Sequence, residues 1–118
     1  MIKKILIANR GEIACRVIKT AKKLNIMTIS IHSDSDVNAE HVNLADESFY
    51  LGGSEALESY LSIPKIIEIC KKTKVDAVHP GYGFLSENAN FVKELSKNKI
   101  IFIGPSEKAI TSMGDKIK

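Results

Sequence analysis

Short runs rich in β-branched residues alternate with segments of helical periodicity along the chain, and this alternation limits the fold more than any other feature. Residues 5–8, 28–31, 48–51, 75–78 and 100–103 read as five short strands, the first of them buried. Between the first two, Ile13, Val17, Ala21 and Leu24 recur at steps of three and four and line one helix face. Asn25 closes that helix, because Asn tolerates the left-handed conformation of a helix end. The polar stretch 34–45 holds one short helix around Glu40, and Gly52-Gly53 stop the third strand. A strong helix follows with Ile63, Ile66, Ile67 and Cys70 on one face. Ser62 is its expected N-cap, and Pro64 is tolerated in the first turn, where no N–H partner is lost. The next helix has Val92 and Leu95 inward and Ser86 as expected N-cap. Gly104-Pro105 break the last strand, after which Ser106 can cap one more helix. Strands alternating with helices need crossover connections. The expected class is therefore α/β, a mostly parallel sheet with helices on both faces.

Size and charge narrow what such a fold does. A chain of 118 residues suits one domain and can bury roughly 65% of its unfolded surface. Its net charge of +3 suits an anionic ligand but is too small to argue for nucleic acid. No stretch approaches the apolar length of a membrane span. Residues 1–6 carry charge without the apolar run of a signal peptide, so a cytoplasmic location is expected. Cys15 and Cys70 fall in helices without metal-ligand spacing and read as reduced, buried small hydrophobes. His32, His41 and His79 are spread over different elements, so no metal site is expected. Residues 115–118 end the chain with no completed element, so more protein is expected beyond Lys118.

Two loops occupy the place where open parallel sheets bind ligands, beyond the C-terminal ends of strands. The first is Ala8-Asn9-Arg10-Gly11-Glu12. Gly11 permits a tight turn, and the helix behind it favours an anion. The alternative is a plain strand-to-helix connection in which Arg10 and Glu12 pair with neighbouring parts of the protein. The second, residues 79–88, reads HPGYGFLSEN and carries the stronger signal. It places an imidazole, two glycines, an aromatic ring and a carboxylate directly after a strand. Glycines one residue apart let backbone approach a ligand closely, and the Tyr82 ring between them can cover a flat one. The alternative is a rigid turn in which His79 only bonds a neighbour. Arg16, Lys19, Lys22 and Lys23 form a basic helix face, either solvated or a subunit contact.

Four blocks make the chain resemble the biotin carboxylase family. They are LIANRGEIACR at 6–16, LADES at 44–48, HPGYGFLSENANF at 79–91, and FIGPS at 102–106 followed by MGDK at 113–116. Their order and spacing fit the family along the whole chain, and the third block is highly specific. The resemblance implies a Rossmann-like (pre-ATP-grasp) N-terminal domain over residues 1–118, with ATP-grasp and C-terminal domains expected beyond it. It implies an ATP-dependent ligase that uses MgATP and bicarbonate to carboxylate biotin on a biotin carboxyl carrier protein, as in acetyl-CoA carboxylase and fatty acid synthesis. A carboxyltransferase then chooses the acceptor. The metal-binding carboxylates and the catalytic base are expected in the ATP-grasp domain, so residues 1–118 hold no catalytic residue and are expected to be inactive alone.

By the same resemblance, Lys116 contacts ATP phosphate, where a compact ammonium would balance polyphosphate charge. Tyr82 and Gly83 face biotin, flanked by His79 and Glu87. Arg16 and Lys19 lie on a helix that resembles part of a homodimer surface. Ser62 stands where the family commonly has Asn or Asp. The alternatives are the matching domain of another ATP-grasp ligase, against which the 79–91 block argues, and a stand-alone nucleotide-binding module.

Overall fold

The computed structural model describes residues 2–53 and 55–104. The expected Ser106 cap and Lys116 lie outside the described residues. Five strands form one sheet: β1 (Lys4–Ile7), β2 (Met27–His32), β3 (Glu47–Tyr50), β4 (Ala77–His79) and β5 (Ile101–Phe102). Their order is β3-β2-β1-β4-β5, and every pairing is parallel. Four α-helices connect or precede them: α1 (Gly11–Lys23), α2 (Glu40–Leu44), α3 (Ile63–Thr73) and α4 (Ala89–Lys97).

The period of two along β1 divides the core. Leu6 and Ala8 belong to a large cluster with Ile66 and Cys70 of α3 and with Phe91 and Leu95 of α4. Ile5 and Ile7 belong to a smaller cluster with Ala14, Ile18 and Ala21 of α1. Side chains alternate across a strand, so one strand supplies both layers, and the helices cover both faces as expected.

The face of α1 differs from its expected one. Ala14, Ile18 and Ala21 are the buried residues, with Cys15 beside them. Ile13 and Val17 are only partly buried, and Leu24 is 65% exposed. The reason is a groove of about 520 Å³ beside α1, lined by Ile13, Val17, Leu24 and Ile103 together with Pro80 and Tyr82. Periodicity locates an apolar stripe but does not say which part of it another element covers.

Helix ends account for the other differences. Asn25 does close α1 in the left-handed conformation, at φ 62°. Its N–H donates to Lys22 O and that of Ile26 donates to Ala21 O, the paired bonds of a Schellman end. Lys74 (φ 56°) and Lys99 (φ 60°) end α3 and α4 in the same conformation, which their residue type does not signal. Ser62 precedes α3, but its side chain makes no capping bond. Asn88, not Ser86, caps α4, its side chain accepting from Phe91 N at 2.9 Å. Ser86 N donates to Gly83 O and Asn88 N to Leu85 O, so residues 83–88 spend themselves on turns and delay the helix. In α3, Ile66, Ile69 and Cys70 are buried, while Ile67 is only partly so. Cys15 and Cys70 are buried and unpaired, and burial pushes the Cys70 thiol up to about 12.

Candidate functional site at the topological switch

Strand order reverses at the β1–β4 pair, where β2 and β3 lie to one side and β5 to the other. Open parallel sheets bind ligands at such a switch point, because the loops after the two strands diverge and leave a crevice. Ile7 pairs with His79, and Ala8 N donates to His79 O at 2.9 Å. The two loops marked by the sequence therefore leave the sheet side by side.

The first loop is locked. Asn9 is 2% exposed. Its Nδ2 donates to Pro80 O at 2.8 Å and to Tyr82 O at 2.6 Å, and its Oδ1 accepts from Arg10 N at 2.8 Å. Arg10 forms a forked pair with Asp36, with Nε and one terminal nitrogen each 2.6 Å from a carboxylate oxygen. Tyr60 donates its O–H to the same carboxylate at 2.6 Å. The Arg10 hydrogen bonds hold the Asp36 carboxyl well below the usual carboxylate range, against the opposing effect of burial. Burial and the Asp36 carboxylate push the Tyr60 phenol up, so it stays a donor. His41 is fully buried and donates Nε2–H to Ile31 O at 3.0 Å. Burial lowers its pKa and keeps it neutral. Of the alternatives left open for this loop, Arg10 takes the pairing role; Gly11 has φ 67° and makes the turn into α1. Gly11 and Glu12 remain exposed.

The second loop is held from beneath and open above. Gly81 (φ 65°) sits against Asn9; a Cβ there would lie 2.6 Å from Asn9 Nδ2 and 2.9 Å from Ile13. Gly83 (φ 70°) has open space where a Cβ would be. Tyr82 between them is 77% exposed, and Glu87 is exposed beyond the turn. His79 accepts from Gly81 N through Nδ1 at 3.1 Å, which leaves the ring proton on Nε2. Burial lowers the His79 pKa and favours that neutral form. Phe84, at φ 46°, packs its ring on Tyr60, with centroids 5.2 Å apart. The loop thus touches the Asp36 cluster on one side and Asn9 on the other.

Tyr82, Gly83 and His79 are brought together at the switch, and Glu87 stands on the same loop. Arg16 and Lys19 are exposed on α1, and Arg16 borders the groove that reaches the loop. Asn9, Asp36 and Tyr60 were not legible as one cluster. Each is an ordinary polar residue in sequence, and 24 or more positions separate Asp36 from its partners Arg10 and Tyr60.

An α/β domain with its candidate site at a β1–β4 switch matches a known family model, the biotin carboxylase N-terminal domain, over residues 1–110. The chain belongs to that family. It is 57% identical over 115 residues to the mitochondrial propionyl-CoA carboxylase alpha chain of Mus musculus, covering 98% of this chain and 16% of that protein. It is 54% identical over 117 residues to a biotin carboxylase of Halalkalibacterium halodurans, covering 99% of this chain and 26% of that protein. Among solved structures, the pyruvate carboxylase of Rhizobium etli is 44% identical with a TM-score of 0.92, covering 98% of this chain and 12% of that one. The chain thus spans between 12% and 26% of the length of these proteins. Among the described residues, no helix is long and apolar enough to cross a membrane.

Proposed function

We propose that this chain is the N-terminal domain of a biotin carboxylase, in which the 80–83 loop faces the biotin ring. The whole protein uses MgATP to join bicarbonate to the γ-phosphate, releasing ADP. The carboxyl group then passes to a biotin ureido nitrogen, with loss of phosphate and a proton. The observation that carries the reading is the Tyr82-Gly83 pair, raised on a locked base at the switch point with open space over Gly83. A flat ring can lie against glycine backbone there, with the Tyr82 ring beside it.

ATP-grasp and C-terminal domains complete the protein in this proposal. Magnesium prefers oxygen ligands, whereas His79 offers a nitrogen and Glu87 a single carboxylate. Among the described residues no three of His, Cys, Asp or Glu gather closely enough to hold a metal ion together. The family resemblance assigns magnesium and the catalytic base to the ATP-grasp domain, with Lys116 meeting ATP phosphate. Residues 1–118 alone turn nothing over. Biotin on its carrier protein is the substrate, and a carboxyltransferase is the next partner. Exposed Arg16 and Lys19 on α1 are the candidate homodimer surface.

Several relatives are named propionyl-CoA carboxylase alpha chains. Their names favour an acyl-CoA as final acceptor, propionyl-CoA ahead of the acetyl-CoA of fatty acid synthesis. A cytoplasmic location is part of the proposal, with the mitochondrion the alternative that some relatives' names favour; cell fractionation separates the two.

The test is the full-length protein with MgATP, labelled bicarbonate and free biotin. Biotin-stimulated ADP release together with labelled carboxybiotin is expected. Nucleotide binding without carboxylation, or turnover that requires ammonia or an amine in place of biotin, overturns the reading.

A further inference from the structure

Two carbonyl directions in the 80–83 loop, those of Pro80 and Tyr82, are set by one buried side chain. Asn9 is 2% exposed and spends both amide hydrogens on the carbonyls of Pro80 (2.8 Å) and Tyr82 (2.6 Å). The opposite orientation of the amide would crowd its oxygen against two others, so the contacts themselves decide which atom is nitrogen. No described peptide bond is cis. In a trans peptide the N–H points opposite to the C=O. With the Tyr82 carbonyl turned down to Asn9, the Gly83 N–H is turned up and out. Among the described residues that N–H has no hydrogen-bond partner. It stands at the glycine whose Cβ position meets nothing within 4 Å.

We propose that Asn9 is a positioning residue. By fixing the Tyr82–Gly83 peptide it aims the Gly83 N–H at an oxygen of the acceptor substrate, a flat ring bearing a carbonyl or carboxylate. The inference rests on the assignment of this loop to biotin. An exposed backbone donor is useful to a substrate only if its direction is settled beforehand. Asn9 settles it from the interior and is itself held by the Arg10 N–H at 2.8 Å, in a loop pinned by the Arg10–Asp36 pair. Gly81 completes the seat, because any Cβ there would displace the Asn9 amide. Asp has nearly the shape of Asn but brings only acceptors to two carbonyls.

Asn9→Asp in the full-length enzyme is the test, read by steady-state kinetics beside thermal unfolding. We expect kcat/KM for free biotin to fall about 10- to 100-fold, as small misplacements do. The KM for ATP and the slow bicarbonate-dependent ATP cleavage without biotin should stay at wild-type values. Unchanged biotin kinetics overturn the proposal, as does a parallel fall of both activities with a lowered melting temperature. Hydrogen exchange of the wild-type enzyme provides a second measurement that needs no variant. Saturating biotin should protect the peptide containing Gly83, and no protection overturns the proposal. If the wild type neither carboxylates biotin nor responds to it, the function assignment has failed. Faster exchange across 80–83 confined to the variant would then still show that Asn9 holds the loop.

Discussion

The loops after β1 and β4 leave neighbouring strands at the same level of the sheet, yet they use their polar groups in opposite ways. In the 8–12 loop the Asn9 amide and the Arg10 guanidinium both find partners within the protein. In the 80–84 loop the Pro80 and Tyr82 carbonyls turn inward, while the Tyr82 ring and the face of Gly83 turn to solvent. One loop is a foundation and the other a working surface. A donor held by a buried neighbour loses little freedom when it meets a ligand, so the precision of an exposed loop can reside in residues that no ligand touches.

Substitutions should separate foundation from surface, and Gly81→Val should do so most severely. Its Cβ meets Asn9 and Ile13 inside 3.0 Å at a φ of 65°. Overpacking and the left-handed backbone together should cost about 3 kcal/mol or more, measured by urea unfolding. A loss below about 0.5 kcal/mol, within the usual surface range, would mean the seat on Asn9 is loose. Next is Asp36→Ala, which strips Arg10 and Tyr60 of their shared carboxylate. Removing one partner of a buried pair costs about 3 kcal/mol at the lower end, fitting here because the Arg10 side chain is half exposed. The same unfolding measurement checks it, and Tyr60→Phe should lose less.

Gly83→Val sharpens the comparison from the other side. Nothing is near its Cβ position, so only the positive φ opposes it, at about 1–2 kcal/mol. In the full-length enzyme biotin carboxylation should nonetheless fall steeply, while biotin-independent ATP cleavage survives much better. If both activities fall together at an unchanged melting temperature, the loop does not serve biotin.

The smallest effect is on pH. Burial lowers the folded-state pKa of His41 and His79 below the ordinary 6.5. Between those values the unfolded chain binds more protons, so this stability is present above about pH 6.5 and is lost as pH falls through the folded values. His41→Gln, which cannot titrate, should flatten that slope in melting temperature between about pH 7 and 5. Asp36, held low by Arg10, adds its loss at more acid pH, below the ordinary 3.8. A slope unchanged in the His41 variant would show that His41 does not report on the foundation.

The elements were legible because they depend on local pattern. All five strands lie within two residues of their expected places, and Asn25 ends α1 as its residue type suggests. The left-handed Lys74 and Lys99 were not legible, because Lys carries no such preference and the conformation follows from the chain's turn back to the sheet. Ser86 looked like a cap but lost to Asn88, since two turns intervene before α4. Tyr82 and Gly83 were marked as ligand-facing by composition and by resemblance, whereas Asp36 and Tyr60 had no local signal.

The sequence by itself determined the α/β class, the alternation of elements and the two loops beyond the strand ends, because each depends on neighbours a few residues apart. Only the tertiary structure decided that β1 and β4 lie side by side, that Asn9 reaches Pro80 and Tyr82 across 71 and 73 positions, and that Arg10 spends its charge on Asp36. Those choices follow from strand order, and strand order depends on which faces pack against which helices, a balance of the whole core that no short stretch of chain contains.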